Sequence, residues 1–222
     1  MQDLRDMILN LVSPDDEKRN RSKFFFLSLF YDTISKSLPG NPYENFAENI
    51  ASDKPSRILD ICSGTGYTAR TLAGLLPNSH IDALDISPEM LAVATERSEE
   101  ERLANIHFHK ESAAQLPFEN ETFDAVCVSL GLHELPTVIR TASLKESFRV
   151  LKPGGSMYAM DLDRPDSFGF LIDFYLLLGE PPYSKEVLSE GISQALQEAG
   201  FQVAQKQHWM GDFLQFVEAR KP

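Results

Sequence analysis

The residues with the clearest chemistry form a short run, Ser63-Gly64-Thr65-Gly66, between an apolar stretch, Arg57-Ile58-Leu59-Asp60-Ile61, and a helical pattern over Tyr67 to Leu76. Glycines at these two positions let the backbone pass close to a bound molecule with no Cβ in the way, and the helix N-terminus aims at the same spot. A second apolar run, His80 to Asp85, ends in a carboxylate 19 residues past Gly66. A carboxylate so placed accepts hydrogen bonds from ribose hydroxyls. The chemistry indicated is the holding of a nucleoside-bearing small molecule. Its identity stays open on these residues alone, because Gly64-Thr65-Gly66-Tyr67-Thr68-Ala69 also fits the G-x-G-x-x-A pattern of nicotinamide and flavin enzymes.

Other titratable groups fall near the same edge. His133 stands four residues past Ser129, on the loop after the apolar run Phe123 to Ser129. It is the best-placed group to take a proton from a substrate; the alternative is a loop histidine that bonds backbone or caps the next helix. Asp161 and Asp163 follow the next strand and are either substrate contacts or capping residues. Tyr31, on an N-terminal helical pattern, either closes over the ligand or belongs to a core. Cys62 and Cys127 lie inside apolar strand patterns and read as reduced packing thiols. No cluster of His, Cys and carboxylates has metal-ligand spacing, so no metal is expected.

These groups need a scaffold. Leu4, Ile8, Leu11 and Val12 recur at helical spacing, Phe24 to Leu38 makes a second helix, and Tyr43 to Ala51 a third. Residues 1–54 are therefore read as an N-terminal helical cap and 55–222 as the main domain. Strands are expected at 57–61, 80–85, 106–109, 123–129 and 156–161, with helices between, which gives a doubly wound parallel sheet covered on both faces. Ser87-Pro88 opens the helix after Asp85, and Lys152-Pro153-Gly154-Gly155 closes the one after Pro136. Asp166 to Leu178, within an apolar insertion over 162–183, is apolar nearly all round and must pack on protein, on substrate or in a homodimer. The last two strands, joined by only Met210-Gly211-Asp212, must be antiparallel neighbours.

Charge and composition narrow the partners. A net charge of −12 and a pI near 4.8 argue against a surface that tracks nucleic-acid phosphates. The first ten residues lack the basic and apolar regions of a secretory signal, and the longest apolar stretches are too short for a transmembrane segment, so a cytoplasmic protein is expected.

From Arg57 onward the chain resembles the class I S-adenosylmethionine-dependent methyltransferases. The resemblance rests on ILDICSGTG, IDALDISPEML, ESAAQLPFENETFDAVCVSLGLHEL and RVLKPGG, in the family's order and spacing. The glycine loop and the LPF segment look most like the enzymes that methylate ubiquinone and menaquinone precursors. The resemblance implies a Rossmann-like α/β sheet of seven strands with the last antiparallel, and a small apolar or aromatic acceptor. It puts Asp60, Cys62, Ser63, Gly64 and Gly66 around the methionine part of S-adenosylmethionine. It puts Asp85 on the ribose, Ile86 and Met90 on the adenine ring, Ser112 and Ala113 at the adenine amine, and Ser129 and Leu130 beside the transferring methyl. Two residues depart from the family. Cys62 replaces a glycine, which fits provided φ there is negative, and Ser112 replaces an acid, with Glu111 next to it. A nicotinamide-dependent oxidoreductase and a non-catalytic scaffold on the same fold are the competing readings.

Overall fold

The computed structural model describes residues 41–167, 169–173 and 182–222. The two helices expected before Pro39, with Tyr31, lie outside those residues, as do Phe168 and the stretch 174–181 of the apolar insertion. The first described helix, α1 (Pro42–Ser52), forms where the third was expected. Asn41 caps it by accepting from the amides of Tyr43 and Glu44 at 3.2 and 3.4 Å. Those amides have no helical carbonyl to reach, and Pro42 has no amide to satisfy. Its inward residues Phe46 and Ile50 are completely buried, which contributes about 1.5–3 kcal/mol each.

There follow β1 (Arg57–Ile61), α2 (Tyr67–Leu75), β2 (His80–Asp85), α3 (Pro88–Glu100), β3 (Ile106–Lys110), β4 (Phe123–Ser129), α4 (Thr137–Val150), β5 (Leu151–Leu162), α5 (Gly191–Glu198), β6 (Gln202–Trp209) and β7 (Leu214–Arg220). All seven strands share one sheet, in the order β3-β2-β1-β4-β5-β7-β6. β7 runs antiparallel to both its neighbours, and the remaining pairs are parallel. The hairpin before β7 turns through Met210, Gly211 and Asp212 in left-handed conformations, φ 53°, 65° and 70°. Helices α1 and α2 pack one face through Phe46, Ile50 and Leu72, and α4 and α5 pack the other through Leu144, Ile192 and Leu196. The expected doubly wound sheet with an antiparallel last strand is the fold observed.

Two details differ from the sequence reading. Residues 111–122, between β3 and β4, contain no helix; Ala113, Leu116 and Phe118 cover that end of the sheet instead. β5 begins at Leu151 rather than Ser156, because Gly154 and Gly155 are hydrogen-bonded to Lys221 at 2.9 Å and the four-residue excursion is absorbed as an irregularity opposite Phe123–Ala125. The insertion, expected to pack on protein, on substrate or in a homodimer, is only partly covered by its own chain. Among its described residues Ile172 is buried, but Phe170 and Leu171 are 61% and 46% exposed.

Candidate functional site

The tips of β1 and β2 lie side by side at the carboxyl edge of the sheet, with Ile61 opposite Leu84. Beyond Ile61 the chain turns through left-handed conformations at Cys62, Gly64 and Gly66, φ 55°, 53° and 71°. Two hydrogen bonds sew this turn to β2: the Ser63 amide to the Leu84 carbonyl at 2.9 Å, and the Gly64 amide to Asp85 Oδ2 at 2.8 Å. Asp85 Oδ1 accepts from the Ser87 amide at 2.9 Å, and the Ser87 hydroxyl caps α3 through the Met90 amide. Asp85 therefore fixes both loops. Burial pushes its pKa up, opposed by the amides of Ser87, Gly64 and Ile86.

The two glycines of the loop do different work. A Cβ at Gly64 would meet nothing within 4 Å, so the space beside this residue is open. A Cβ at Gly66 would stand 3.1 Å from Ala94 Cβ and from the Phe108 ring. Gly66 is thus required by its left-handed φ and by the packing of α3 and β3 against the start of α2. Cys62 does not have the negative φ that its fit was expected to need. A β-carbon in the left-handed region is strained by about 1–2 kcal/mol, and the space for this one is left by Gly131, where an added Cβ would lie 2.7 Å from Cys62 Cβ.

Beneath the loop lies an unusual carboxylate. Asp60 is fully buried; its Oδ1 receives the Cys127 thiol at 3.5 Å, the Ala69 backbone amide also favours its charged form, and its Oδ2 makes no hydrogen bond of good geometry. The buried Ser63 hydroxyl also lacks a partner. Burial pushes the Asp60 pKa up to about 7, partly offset by the Cys127 thiol and reinforced by Asp85. Cys62, half-buried, has its thiol pushed well up by burial and by the carboxylates of Asp85, Asp60, Glu134 and Asp161. Four carboxylates therefore act electrostatically on Cys62, and a negative potential of this kind favours a ligand with positive charge.

The far wall comes from the end of β4. Ser129 Oγ and Thr68 Oγ1, 2.9 Å apart, tie that tip to the first turn of α2. Leu130 adopts φ 51° and bonds its amide to the Met160 carbonyl at 2.8 Å. A 3-10 turn, Leu132–Glu134, follows. Its amides at Leu132 and His133 donate to Asp161 Oδ2 at 2.9 and 3.1 Å, and His133 Nδ1 lies 2.5 Å from Asp161 Oδ1. Asp161 has no solvent exposure, so the expected substrate contact is replaced by a place behind His133. Asp163 is likewise buried and turned away from a ligand: it accepts from the amides of Arg164 and Ser189 at 2.8 and 2.7 Å and pairs with His208 at 3.2 Å. The acidic pattern at the end of β5 identified the right strand end but not the direction of these side chains.

Comparison with known proteins now bears on this site. Residues 41–189 match the sequence profile of the ubiE/COQ5 methyltransferase family. The chain belongs to the ubiE/COQ5 methyltransferase family. It is 32% identical over 162 residues to the ubiquinone/menaquinone biosynthesis C-methyltransferase of Methylobacterium nodulans, covering 69% of this chain and 64% of that protein, less than two thirds of its length. It is 31% identical over 176 residues to the demethylmenaquinone methyltransferase of Geobacillus kaustophilus, covering 76% of this chain and 74% of the relative. A solved S-adenosylmethionine-dependent methyltransferase of Aquifex aeolicus shares the fold at a TM-score of 0.64 and 24% identity, over 85% of this chain and 96% of that one.

The remaining residues of this ubiE/COQ5 family member line up around the same edge. Ile86, directly after Asp85, is 65% exposed, while Met90 is buried in the first turn of α3. Ser112 spends its hydroxyl as the acceptor for the Ala114 amide at 3.3 Å, and Ala113 is buried in the core. Sequence reasoning overlooked Thr68, Gly131 and Glu134. Of these only Gly131 carried a signal, a second glycine close after a strand end. A cavity of about 340 Å³ opens at the opposite, amino-terminal edge beside Asp53, Asp124, Lys152 and Arg220. Its cations are already paired, Lys152 with Asp124 at 2.6 Å and Arg220 with Glu218 at 3.0 Å. The carboxyl edge is also where open sheets of this kind bind ligands. Among the described residues there is no metal-holding group of His, Cys, Asp or Glu, and no helix long and apolar enough to cross a membrane.

Proposed function

We propose that this chain transfers a methyl group from S-adenosylmethionine to a small, apolar aromatic acceptor of the quinone class. The observation that carries the reading is the buried Asp60 Oδ2, which makes no hydrogen bond of good geometry, beneath a loop whose Cys62 feels the charge of four carboxylates. S-adenosylmethionine brings a methyl group on a positively charged sulfur together with an α-ammonium, whereas a nicotinamide dinucleotide would bring two anionic phosphates to the same acids. Asp60 attracts the ammonium by its charge from beneath the loop, Ser63 lies beside it, Gly64 leaves room for the methionine backbone, and Asp85 receives the ribose hydroxyls. Ile86 and Met90 bound one side of the adenine and Ser112 and Ala113 the other. Ser129 and Leu130 border the methyl. Because the transfer is an in-line displacement, alignment supplies most of the acceleration these residues can give. The acceptor class follows the names of the relatives and the exposed apolar residues Phe170 and Leu171 that follow the β5 carboxyl end.

Titration calorimetry with S-adenosylmethionine, S-adenosylhomocysteine and NADH tests the reading. Heat with the first two and none with NADH is expected; heat only with NADH means an oxidoreductase, and no heat with any of them means a scaffold. Binding followed by a 14 Da mass gain on a short-chain demethylmenaquinol, one added CH2, separates an enzyme from a silent binder.

Substitution at Asp85 refines the test. Asp85→Ala is expected to lose about 1.5–3 kcal/mol per charged hydrogen bond, at least tenfold in affinity for S-adenosylmethionine. It also lowers the melting temperature of the free protein, because the Gly64 and Ser87 amides lose their acceptor. Asp85→Asn keeps one acceptor oxygen and should melt closer to wild type while still binding more weakly. Equal affinity in all three proteins would remove Asp85 from the site.

A further inference from the structure

The turn after β4 is held with more hydrogen bonds than a connection needs. Asp161 meets it from below, accepting the amides of Leu132 and His133 on Oδ2, and the His133 ring nitrogen Nδ1 and the Leu162 amide on Oδ1. Arg140 meets it from the other side, donating to the Leu132 and Leu135 carbonyls at 3.4 and 3.2 Å, and is itself paired with Glu186. A capping carboxylate would satisfy the two amides alone. Here the same fully buried group also lies 2.5 Å from Nδ1, on a histidine whose side chain is only 5% exposed. Both oxygens of Asp161 already accept backbone amides, so the hydrogen between Oδ1 and Nδ1 is carried by Nδ1, and in the Nδ1–H tautomer Nε2 is the accepting nitrogen. Nε2 lies 3.8 Å from Glu134 Oε1, and Glu134 and Asp161 are both among the acids acting on Cys62 at the glycine loop.

We propose that Asp161 is a positioning residue that holds His133 in the Nδ1–H tautomer, so that Nε2 takes a proton from the acceptor during transfer. The inference rests on the methyl-transfer reading above. With a hydroquinone the balance is as follows. The hydroxyl proton moves to Nε2 and its electron pair stays on the acceptor. The adjacent ring carbon uses ring π-electrons to form the new bond to the methyl carbon, and the old carbon–sulfur pair leaves with sulfur. Loss of the ring proton at that carbon to solvent water restores the aromatic ring as a phenolate, and the imidazolium returns its proton to the phenolate oxygen, so that one proton in all is released to water. The imidazolium formed lies between Asp161 on Nδ1 and Glu134 near Nε2, so its charge develops where two carboxylates already stand.

The test is Asp161→Asn. Turning the new amide so that its oxygen serves the Leu132 and His133 amides forfeits only the Leu162 amide, whereas the reverse orientation forfeits two. The NH2 group therefore faces Nδ1 and forces the proton onto Nε2. Long-range ¹H–¹⁵N correlation spectra of the full, ligand-free chain are expected to show Nδ1–H in wild type and Nε2–H in the variant. With saturating S-adenosylmethionine and a short-chain demethylmenaquinol, kcat should fall roughly 10²–10⁴-fold, as loss of an oriented base does elsewhere, with affinity for S-adenosylmethionine within about twofold of wild type. His133→Gln, which leaves Asp161 its two amides, should lose a similar factor and covers the case in which Asp161→Asn does not fold. An Nε2–H tautomer in wild type, or an unchanged kcat in both variants, overturns the proposal. Heat with S-adenosylmethionine but no methylated quinol in wild type also overturns it, leaving the donor reading standing, whereas no heat at all fails that reading itself.

Discussion

Asp60→Asn is expected to make the ligand-free protein more stable above neutral pH while weakening S-adenosylmethionine binding at least tenfold. The Asp60 carboxyl, whose ordinary pKa is 3.8, is pushed up to about 7 in the fold, chiefly because it is buried. Below pH 3.8 both folded and unfolded chains hold the proton, and the group takes nothing from stability. As pH rises from there to 7 the unfolded chain releases the proton and the folded one retains it, so stability falls throughout that window and is lowest above it. At 1.36 kcal/mol per unit the loss reaches roughly 4 kcal/mol. Asparagine never ionises and recovers part of this, on the order of 2 kcal/mol, because its own amide still lacks partners. Urea unfolding should therefore show a gain at pH 8 that shrinks toward zero at pH 4. Binding runs the other way. A ligand ammonium stabilises the ionised carboxylate, so wild-type affinity should tighten from pH 6 to pH 8 with release of a proton, whereas the variant should bind weakly and without that slope. A variant no more stable at pH 8, or one whose affinity follows the wild-type pH curve, would mean that Oδ2 does not face the ligand.

That prediction also marks what the sequence could and could not reveal. The apolar run Arg57–Ile61, the glycines after it and the acid at Asp85 are local patterns, and they fixed the two strand tips and their neighbouring positions because parallel strands joined by one helix have few ways to pair. The closing hairpin was legible for the same reason, since three connecting residues admit only an antiparallel return. Side-chain direction was less accessible. Asp161 and Asp163 lie two apart on one strand end and read alike, yet one fixes a histidine and the other braces Ser189 and His208, contacts set by residues far along the chain. Gly66 fits a ligand-binding pattern and serves packing, because Ala94 and Phe108 occupy the space its Cβ would fill. At Cys62 the sequence showed the departure but not the sign of φ, which depends on what lies across the crevice.

What lies there is Gly131, and the two positions should behave as a coupled pair. Gly131 has φ −110°, a value any residue adopts, so its glycine is not needed for backbone freedom. It is needed because a Cβ would stand 2.7 Å from Cys62 Cβ and 3.2 Å from Val128 Cγ2. Gly131→Ala in the wild-type background should therefore cost about 2–3 kcal/mol by overpacking, and weaken S-adenosylmethionine binding as the loop is pushed aside. Cys62→Gly alone removes left-handed strain of about 1–2 kcal/mol and gives up the packing of a half-buried thiol, so it should be mildly stabilising. In the double variant the nearest clash is gone and only the Val128 contact remains, a methyl that can shift by a few tenths of an ångström. The alanine should then cost less than about 1 kcal/mol, leaving a coupling energy of at least about 1 kcal/mol between sites 69 residues apart in sequence. Urea unfolding of the four proteins measures it. Additivity within about 0.5 kcal/mol would show that the two backbones do not press on each other, and that the cysteine is housed in this loop by some other means.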